Sequence, residues 1–196
     1  MRLEAIVLAA GAASRFGGGK LLADYRGRPL LDHALDTALA APARGVTVVL
    51  RPGDAAALAL VEARAEPRLR PLAAPDAAQG FDQGLGASLR TAILALPGDA
   101  EAALVLLGDM PRVPHDLAAD LVQALSAGPG IAAPVHAGRR GHPVLFARRW
   151  FADLAALAGD RGAQGVLTKA GDAIALVETD DPGVLFDVDR REDLER

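Results

Sequence analysis

The sequence predicts an α/β fold: a single doubly wound domain around a mostly parallel sheet. Three observations predict it. Short apolar runs of strand length recur at residues 3–10, 46–50 and 102–107. The stretches between them place apolar residues at helical spacing. Each of these runs stops at a glycine or proline turn, namely Gly11, Pro52-Gly53 and Gly108. Strands that alternate with helices in this way form a sheet covered on both faces.

Taken in order, Leu3 to Ala10 reads as a buried strand and residues 11–20 as the loop that follows it. Gly27-Arg28-Pro29 opens a helix, with Pro29 suited to its first turn. Leu30, Leu31, Ala34, Leu35, Ala38 and Leu39 should face the sheet, and Pro42 and Gly45 end the helix. Val46 to Leu50 is a second strand, and an Ala-rich helix runs from Pro52-Gly53 to about Ala65. Leu69 to Ala74 is a weaker strand. Residues 84–96 form a helix with a glycine-rich start, and Ala102 to Leu107 is a strongly apolar strand. Pro114 to Ala127 reads as a helix with Leu117, Leu121 and Leu125 on one stripe. Ile131 to Val135 and Pro143 to Phe146 are strands around the turn-like Gly138-Arg139-Arg140-Gly141. Helices near 148–157 and 162–170, a strand at 173–178 and a short helix from Arg190 complete the chain. No internal repeat or linker appears.

Composition narrows the function classes. The 196 residues suit a single domain, and 51% are hydrophobic while only 4% are aromatic, so Ala, Leu and Val fill the core. A net charge of −4 without a basic run argues against a duplex nucleic-acid binder. The absence of cysteine removes disulfides, thiolate metal sites and thiol catalysis. The apolar run at 5–10 is too short to span a membrane and Glu4 interrupts a signal-peptide pattern, so a cytoplasmic location is expected.

In doubly wound sheets the ligand lies beyond the carboxyl ends of the strands. Two loops stand there. The first reads Gly11-Ala12-Ala13-Ser14-Arg15-Phe16-Gly17-Gly18-Gly19-Lys20. Its glycines let backbone N–H groups approach phosphate, and Arg15 and Lys20 add positive charge. It is not a Walker A loop, because Ser14 and Leu21 stand where Gly and Ser/Thr are required, and the dinucleotide fingerprint also fails. That failure disfavours a nicotinamide oxidoreductase. A glycine-rich connection with solvated charges is the plainer alternative. The second loop, Gly108-Asp109-Met110-Pro111, puts a carboxylate just past a buried strand, where it can hold a divalent cation or simply form a turn. Asp187-Val188-Asp189 places two further carboxylates on one face of an extended segment.

Taken whole, Ala9-Ala10-Gly11, Arg15-Phe16-Gly17 and Lys20-Leu21-Leu22 resemble the signature loop of nucleotidyltransferases that activate sugars, isoprenoid precursors and the molybdenum cofactor. Ala13 departs from the Ser many relatives carry, with Ser14 as its neighbour. Gly108-Asp109-Met110-Pro111 resembles their metal-binding loop. The stretch from Phe186 to Leu194 resembles their closing motif, with Arg190-Arg191 in place of Thr-Pro. Three other segments are similar to those of the molybdenum cofactor cytidylyltransferases: Gly84-Leu85-Gly86-Ala87-Ser88-Leu89-Arg90, Gly138 to Phe146 with His142-Pro143, and Leu157 to Ala163 with Gln164 in place of Arg.

The resemblance implies a nucleotide-diphospho-sugar transferase type of Rossmann-like domain, with an NTP-binding part at about 1–112 and an acceptor-binding part at about 113–196. It implies Mg²⁺ on Asp109 and Asp189, with Asp187 the second choice. It implies CTP held by Leu8, Ala9, Ala10, Gly11, Arg15, Lys20, Gly84, Ser88 and Arg90, with Arg15, Lys20 and Asp109 catalytic. His142 would contact a molybdopterin acceptor or be structural. Ser88 and Arg90 equally fit capping and pairing within a helix. Relatives that use GTP have Gly at the position of Ala10, whose methyl would crowd a purine. Expected partners are small molecules, neither nucleic acid nor membrane, with transient contact to a molybdoenzyme or its chaperone. His33, His115 and His136 lack metal-ligand spacing, and Trp150 with Phe151 reads as core.

Overall fold

The computed structural model describes residues 1–11, 15–76, 84–128 and 130–196. Ala13 and Ser14 lie outside the described residues. In chain order the elements are β1 (Leu3–Ala9), β2 (Asp24–Tyr25), β3 (Arg28–Pro29), α1 (Leu30–Ala40), β4 (Val46–Leu50) and α2 (Ala55–Ala63). Then come β5 (Leu69–Ala73), α3 (Leu85–Leu94), β6 (Ala102–Leu107), α4 (Leu117–Ala127), β7 (Ile131–His136), β8 (Arg139–Arg140) and β9 (Val144–Ala147). The last are α5 (Phe151–Ala155), α6 (Gln164–Ala170) and β10 (Ala175–Glu178).

The sheet runs β10-β7-β9-β6-β1-β4-β5, with β8 folded onto β7. β1 lies inside it, parallel to β4 on one side and β6 on the other, and all seven of its residues are buried. A strand covered on both faces has no polar side, which is why LEAIVLA shows an apolar run instead of alternation. β5 continues the parallel set beside β4. The mostly parallel sheet expected from the sequence is therefore present, with two exceptions: β9 is antiparallel to both β6 and β7, and the short β8 is antiparallel to β7.

Side chains of successive strand residues enter different cores. Leu3, Ala5, Val7 and Ala9 of β1 and Leu104 and Leu106 of β6 pack under α1, α2 and α4. Ile6 and Leu8, with Ala103 and Val105, pack under α3, α5 and α6. The helical stripes read from the sequence are the faces that close these layers. Leu31, Ala34, Leu35 and Ala38 do so for α1, and Leu117, Leu121 and Leu125 for α4. None of the helices, among the described residues, is long and apolar enough to cross a membrane.

Three boundaries differ from the sequence reading. The helix expected to open at residues 27–29 starts at Leu30, because Arg28-Pro29 pairs with Asp24-Tyr25 in a small hairpin. Arg26 and Gly27 both take positive φ at its turn, the conformation that a two-residue hairpin demands. The helix expected from Pro114 begins at Leu117, and the one expected at 148–157 is a 3₁₀ turn followed by the short α5.

At the amino end of the strands a charge cluster ties the sheet edge together. Glu4 on β1 is 2% exposed and faces Arg44, whose Nη2 lies 2.8 Å from its carboxylate, with Arg70 farther off at 3.7 Å. Arg44 also grips Asp99 through both terminal nitrogens at 2.9 Å. That hydrogen bonding pulls the Asp99 carboxyl down to about 2. The opposite pole of the sheet is where the candidate functional residues gather.

Candidate active site

The site is assembled where β1 and β6 end side by side. Gly108 N–H donates to the Leu8 carbonyl at 2.9 Å, and a Cβ at Gly108 would lie 3.2 Å from Ala9 Cβ and 3.3 Å from the Leu8 oxygen. Glycine at this position lets the chain leaving β6 press against the end of β1, so Asp109 emerges beside Leu8, Ala9, Ala10 and Gly11. From the neighbouring strand end Arg51 donates to the Gly11 carbonyl at 2.5 Å. Sequence reading missed Arg51, although its position directly after β4 was the available signal.

Gly17, Gly18 and Gly19 all take positive φ, at 86°, 93° and 65°, and they turn the first loop so that Lys20 opens a 3₁₀ turn. Its ammonium meets Asp109 Oδ2 at 2.5 Å, with the two side chains 11% and 25% exposed. The two loops singled out in the sequence therefore touch through these two residues.

The third part of the site comes from the chain's last segment. Val188 N–H donates to the Asp109 carbonyl at 3.0 Å. Val188 is buried in a small cluster with Phe16, Tyr25 and Leu30. Neighbouring side chains on extended backbone point the other way, so Asp187 and Asp189 turn from that cluster towards the mouth. Asp189 accepts from Arg15 Nη1 at 2.9 Å. The Asp193 carboxylate accepts from the Asp189 and Arg190 amides at 3.1 and 2.9 Å, so the turn that follows is capped despite Arg190-Arg191. Partial burial pushes the Asp187 carboxyl up, and the neighbouring Asp189 and Asp109 carboxylates push it further, with Lys20 opposing.

These are hard oxygen donors converging beside two cations. No group of three or more acids or histidines arranged to hold a metal occurs among the described residues. A partial protein shell of one or two carboxylates suits a small, hard divalent cation that keeps water and substrate phosphate as its other ligands. The Arg15–Asp189 pair is exchangeable: Arg15 is 72% and Asp189 47% exposed, and surface pairs of this kind contribute about 0–1 kcal/mol. A phosphate on Arg15 with a cation on Asp189 would replace this pair at little cost, whereas the less exposed Lys20–Asp109 pair would have to open.

The remaining expected site residues divide. Gly84 takes φ +108° at the start of α3, and a Cβ there would lie 2.1 Å from Asp160 Oδ1 and 2.7 Å from the Gly159 oxygen. Gly86 N–H donates to the Gly159 carbonyl at 2.8 Å, and Arg90 donates to the Leu157 carbonyl at 3.0 Å. Ser88 is buried. Segments 84–90 and 157–160 thus interlock, which gives Gly84 and Arg90 a packing role whatever else they touch. His142 lies closer to the chemistry. Burial pulls its pKa down, against a hydrogen bond to the Val105 backbone and the charge of nearby Asp109, so the ring is neutral near pH 7. Its Nδ1 is buried without a hydrogen-bond partner among the described residues. His33 and His136 bond to the Tyr25 and Thr179 carbonyls, in line with a structural part.

Residues 5–174 match the family described as the MobA-like NTP transferase domain. The chain belongs to this family. Nicotine blue oxidoreductase of Paenarthrobacter nicotinovorans is 32% identical over 206 residues, covering 97% of this chain and 94% of that protein. The bifunctional protein GlmU of Sorangium cellulosum is 35% identical over 126 residues, which cover 63% of this chain. This MobA-like chain spans about a quarter of the length of the GlmU proteins it matches, 26% in that case. Among solved structures, Rv0371c from Mycobacterium tuberculosis H37Rv superposes with a TM-score of 0.83 at 29% identity, covering 100% of this chain and 96% of that one. A manganese complex of Rv0371c superposes with a TM-score of 0.78 at 26% identity, covering 100% and 97%. The α/β fold of the MobA-like chain is that of nucleotide-sugar transferase-like proteins, including a CMP-2-keto-3-deoxy-manno-octonic acid synthetase at a TM-score of 0.78 and 17% identity.

Proposed function

We propose that this chain transfers CMP from CTP to the terminal phosphate of molybdopterin, with Mg²⁺ and release of pyrophosphate. The observation that carries the reading is the meeting of Lys20 with Asp109, flanked by Asp187 and Asp189. It joins the first loop's positive charge to a set of acids suited to a hard cation. An acceptor phosphate oxygen attacks the α-phosphorus of CTP in line. The bond from that phosphorus to the bridging oxygen breaks, and pyrophosphate leaves. The attacking phosphate is already anionic at neutral pH, so no strong base is needed. Positioning and charge neutralisation carry the reaction. Arg15 and Lys20 stabilise the charge that grows on the leaving pyrophosphate. Asp109 and Asp189 would hold the cation, with Asp187 the second choice for the latter. Bound there, Mg²⁺ would neutralise phosphate oxygens.

Residues to about 112 make up the NTP-binding part in this reading and the remainder the acceptor part, with Ser88 and Arg90 on the nucleotide and His142 on the acceptor. Ala10 supports CTP over GTP, since its methyl narrows the space a purine would need. The protein then works in the cytoplasm and hands its product to a molybdoenzyme or its chaperone. Guanylyl transfer to molybdopterin, transfer to a sugar phosphate, and non-catalytic nucleotide carriage are the neighbouring readings.

One relative supports a different reading. The nicotine blue oxidoreductase covers nearly the full chain, so an oxidoreductase acting on nicotine blue is the competing activity. The absent dinucleotide fingerprint speaks against it. A pyrophosphate-release assay with CTP, GTP, ATP and UTP, with and without molybdopterin and Mg²⁺, tests the proposal. Acceptor-dependent release with CTP supports it. Redox turnover of nicotine blue without any pyrophosphate release overturns it.

A further inference from the structure

The bond from Val188 N–H to the Asp109 carbonyl ties the closing segment to the loop that carries Asp109. Three residues farther along that loop stands Arg112, whose side chain fastens the same two segments a second time. Phe186 is extended, at φ −94° and ψ 112°. Phe186 and Val188 therefore leave the chain on one side and Asp187 and Asp189 on the other. Both apolar residues join the small cluster around Tyr25 and Leu30.

Arg112 closes over this anchored side. Its guanidinium carbon lies 3.9 Å from the centre of the Phe186 ring, which it covers. Its Nε donates to the Tyr25 hydroxyl at 2.5 Å, and the Tyr25 and Phe186 rings lie 6.4 Å apart. Nη2 reaches the main-chain oxygen of Arg196. The Arg112 carbonyl presses on the turn before Phe186, where a Cβ at Gly183 would collide with it. One side chain thus joins the Asp109 loop to the β2-β3 hairpin, to Phe186 and to the end of the chain. A planar guanidinium can lie flat on a ring while its edge donates in two directions, which a lysine ammonium cannot do. With Nε and Nη2 committed inside the chain, the group holds segments together.

We propose that Arg112 is a positioning residue for the cation site. It fixes Phe186 against the Asp109 loop and so sets Asp187 and Asp189 beside Asp109, close enough for both carboxylates to act on Asp187. The inference rests on the reading above, in which Asp109 and Asp189 hold the divalent cation. Mg²⁺ demands near-ideal ligand geometry, so a small drift of the closing segment costs affinity. Loss of a group that orients metal ligands typically weakens binding by about 10–100-fold. Arg112 acts through a neighbouring residue, which places the expected loss at the lower end, about tenfold.

Binding of Mn²⁺ to the full chain without nucleotide, read from the free-ion EPR signal, tests this. Arg112→Met keeps an apolar cover on Phe186 and loses the donors, and Arg112→Lys keeps the charge and loses the plane. Both should weaken Mn²⁺ binding about tenfold. Phe186→Leu should do the same, and adding it to Arg112→Met should weaken binding no further, because the two act through one contact. Phe186→Leu also keeps the question open if an Arg112 variant fails to fold. Arg44→Ala, which loses bonds to Glu4 and Asp99 at the opposite pole, should lower Tm and leave Mn²⁺ affinity unchanged. In pyrophosphate release, Arg112→Met should raise the Mg²⁺ needed for half-maximal rate and leave kcat at saturating Mg²⁺ unchanged, a split that simple loss of folded protein does not give. Wild-type Mn²⁺ affinity in the Arg112 variants, with binding abolished in Asp109→Asn, would overturn this inference and leave the cation reading standing. Equal weakening in Arg44→Ala would reduce Arg112 to a stability role and also overturn it. No Mn²⁺ binding by the wild type, or unchanged binding in Asp109→Asn, would overturn the cation reading and this inference with it.

Discussion

Replacing Lys20 by alanine tests the joint between the two loops most directly. The Lys20 ammonium sits 2.5 Å from Asp109 and is 11% exposed, so water cannot take over its charge without rearrangement. In the proposed reaction its partner becomes the departing pyrophosphate. Removing one preorganised charge-stabilising group of this kind costs about 2.7–4 kcal/mol in the transition state, a fall of roughly 10²–10³ in turnover. Stability should change less: Asp109 loses its counter-charge but is 25% exposed and can be rehydrated, so a loss of about 1–2 kcal/mol is expected. Pyrophosphate release at saturating CTP, Mg²⁺ and molybdopterin gives the first quantity, and urea denaturation gives the second. Asp109→Ala should be impaired on a similar scale, and the double variant far less than the product of the two effects, because groups acting as a unit are not additive. A folded Lys20→Ala protein that turns over within tenfold of wild type would refute the argument.

Four other perturbations follow from the same geometry. Arg15→Ala should leave stability within about 0.5 kcal/mol, since its pair with Asp189 is exposed, yet lower turnover by about 10²-fold; an unchanged rate would remove Arg15 from the site. Ala10→Gly should shift the CTP-to-GTP ratio of kcat/KM towards GTP by about 10–200-fold, the reach of one methyl in a pocket, and an unaltered ratio would detach base choice from this position. Gly84→Ala should cost about 1–3 kcal/mol by denaturant titration, from a positive φ and the close Gly159 oxygen, whereas Gly98→Ala, with open space around it, should be near neutral. Asp99 titrates near 3.8 when unfolded and at about 2 when held by Arg44. The unfolded chain therefore takes up the proton first as pH falls, and stability from this pair is lost between about pH 4 and 2. Asp99→Asn should flatten the fall in Tm across that window, and an unchanged slope would discount the pair.

Much of the fold was legible because burial on both faces leaves a simple signature. LEAIVLA and AALVLL are apolar at every position but one, and both are interior strands, parallel to each other. Leu69 to Ala73 was weaker as a signal because β5 is an edge strand with exposed Arg70 and Ala73. The antiparallel course of β9 was not legible at all: four apolar residues give no direction, and only the pairing with β6 and β7 sets it. At the site, the strand-end rule led to Asp109 and the first loop, and the alternation around Val188 to Asp187 and Asp189. The ties that hold them, such as Arg51 to Gly11 and Arg90 to Leu157, join positions 40 and 67 residues apart. Local pattern carries no trace of such contacts.

The reversed strand β9 has a bearing on how such a scaffold can diversify. On the β1 side of the sheet, parallel neighbours must be joined by helical crossovers, so lengthening a connection there disturbs a packed layer. Between β7 and β9 the chain makes a tight turn at residues 137–138, joining β7 to β8, at the same end of the sheet as Asp109. Insertions there would project into solvent beside the mouth and leave every crossover helix seated. In the proposed reading, that would let the acceptor half vary while the nucleotide half stays fixed.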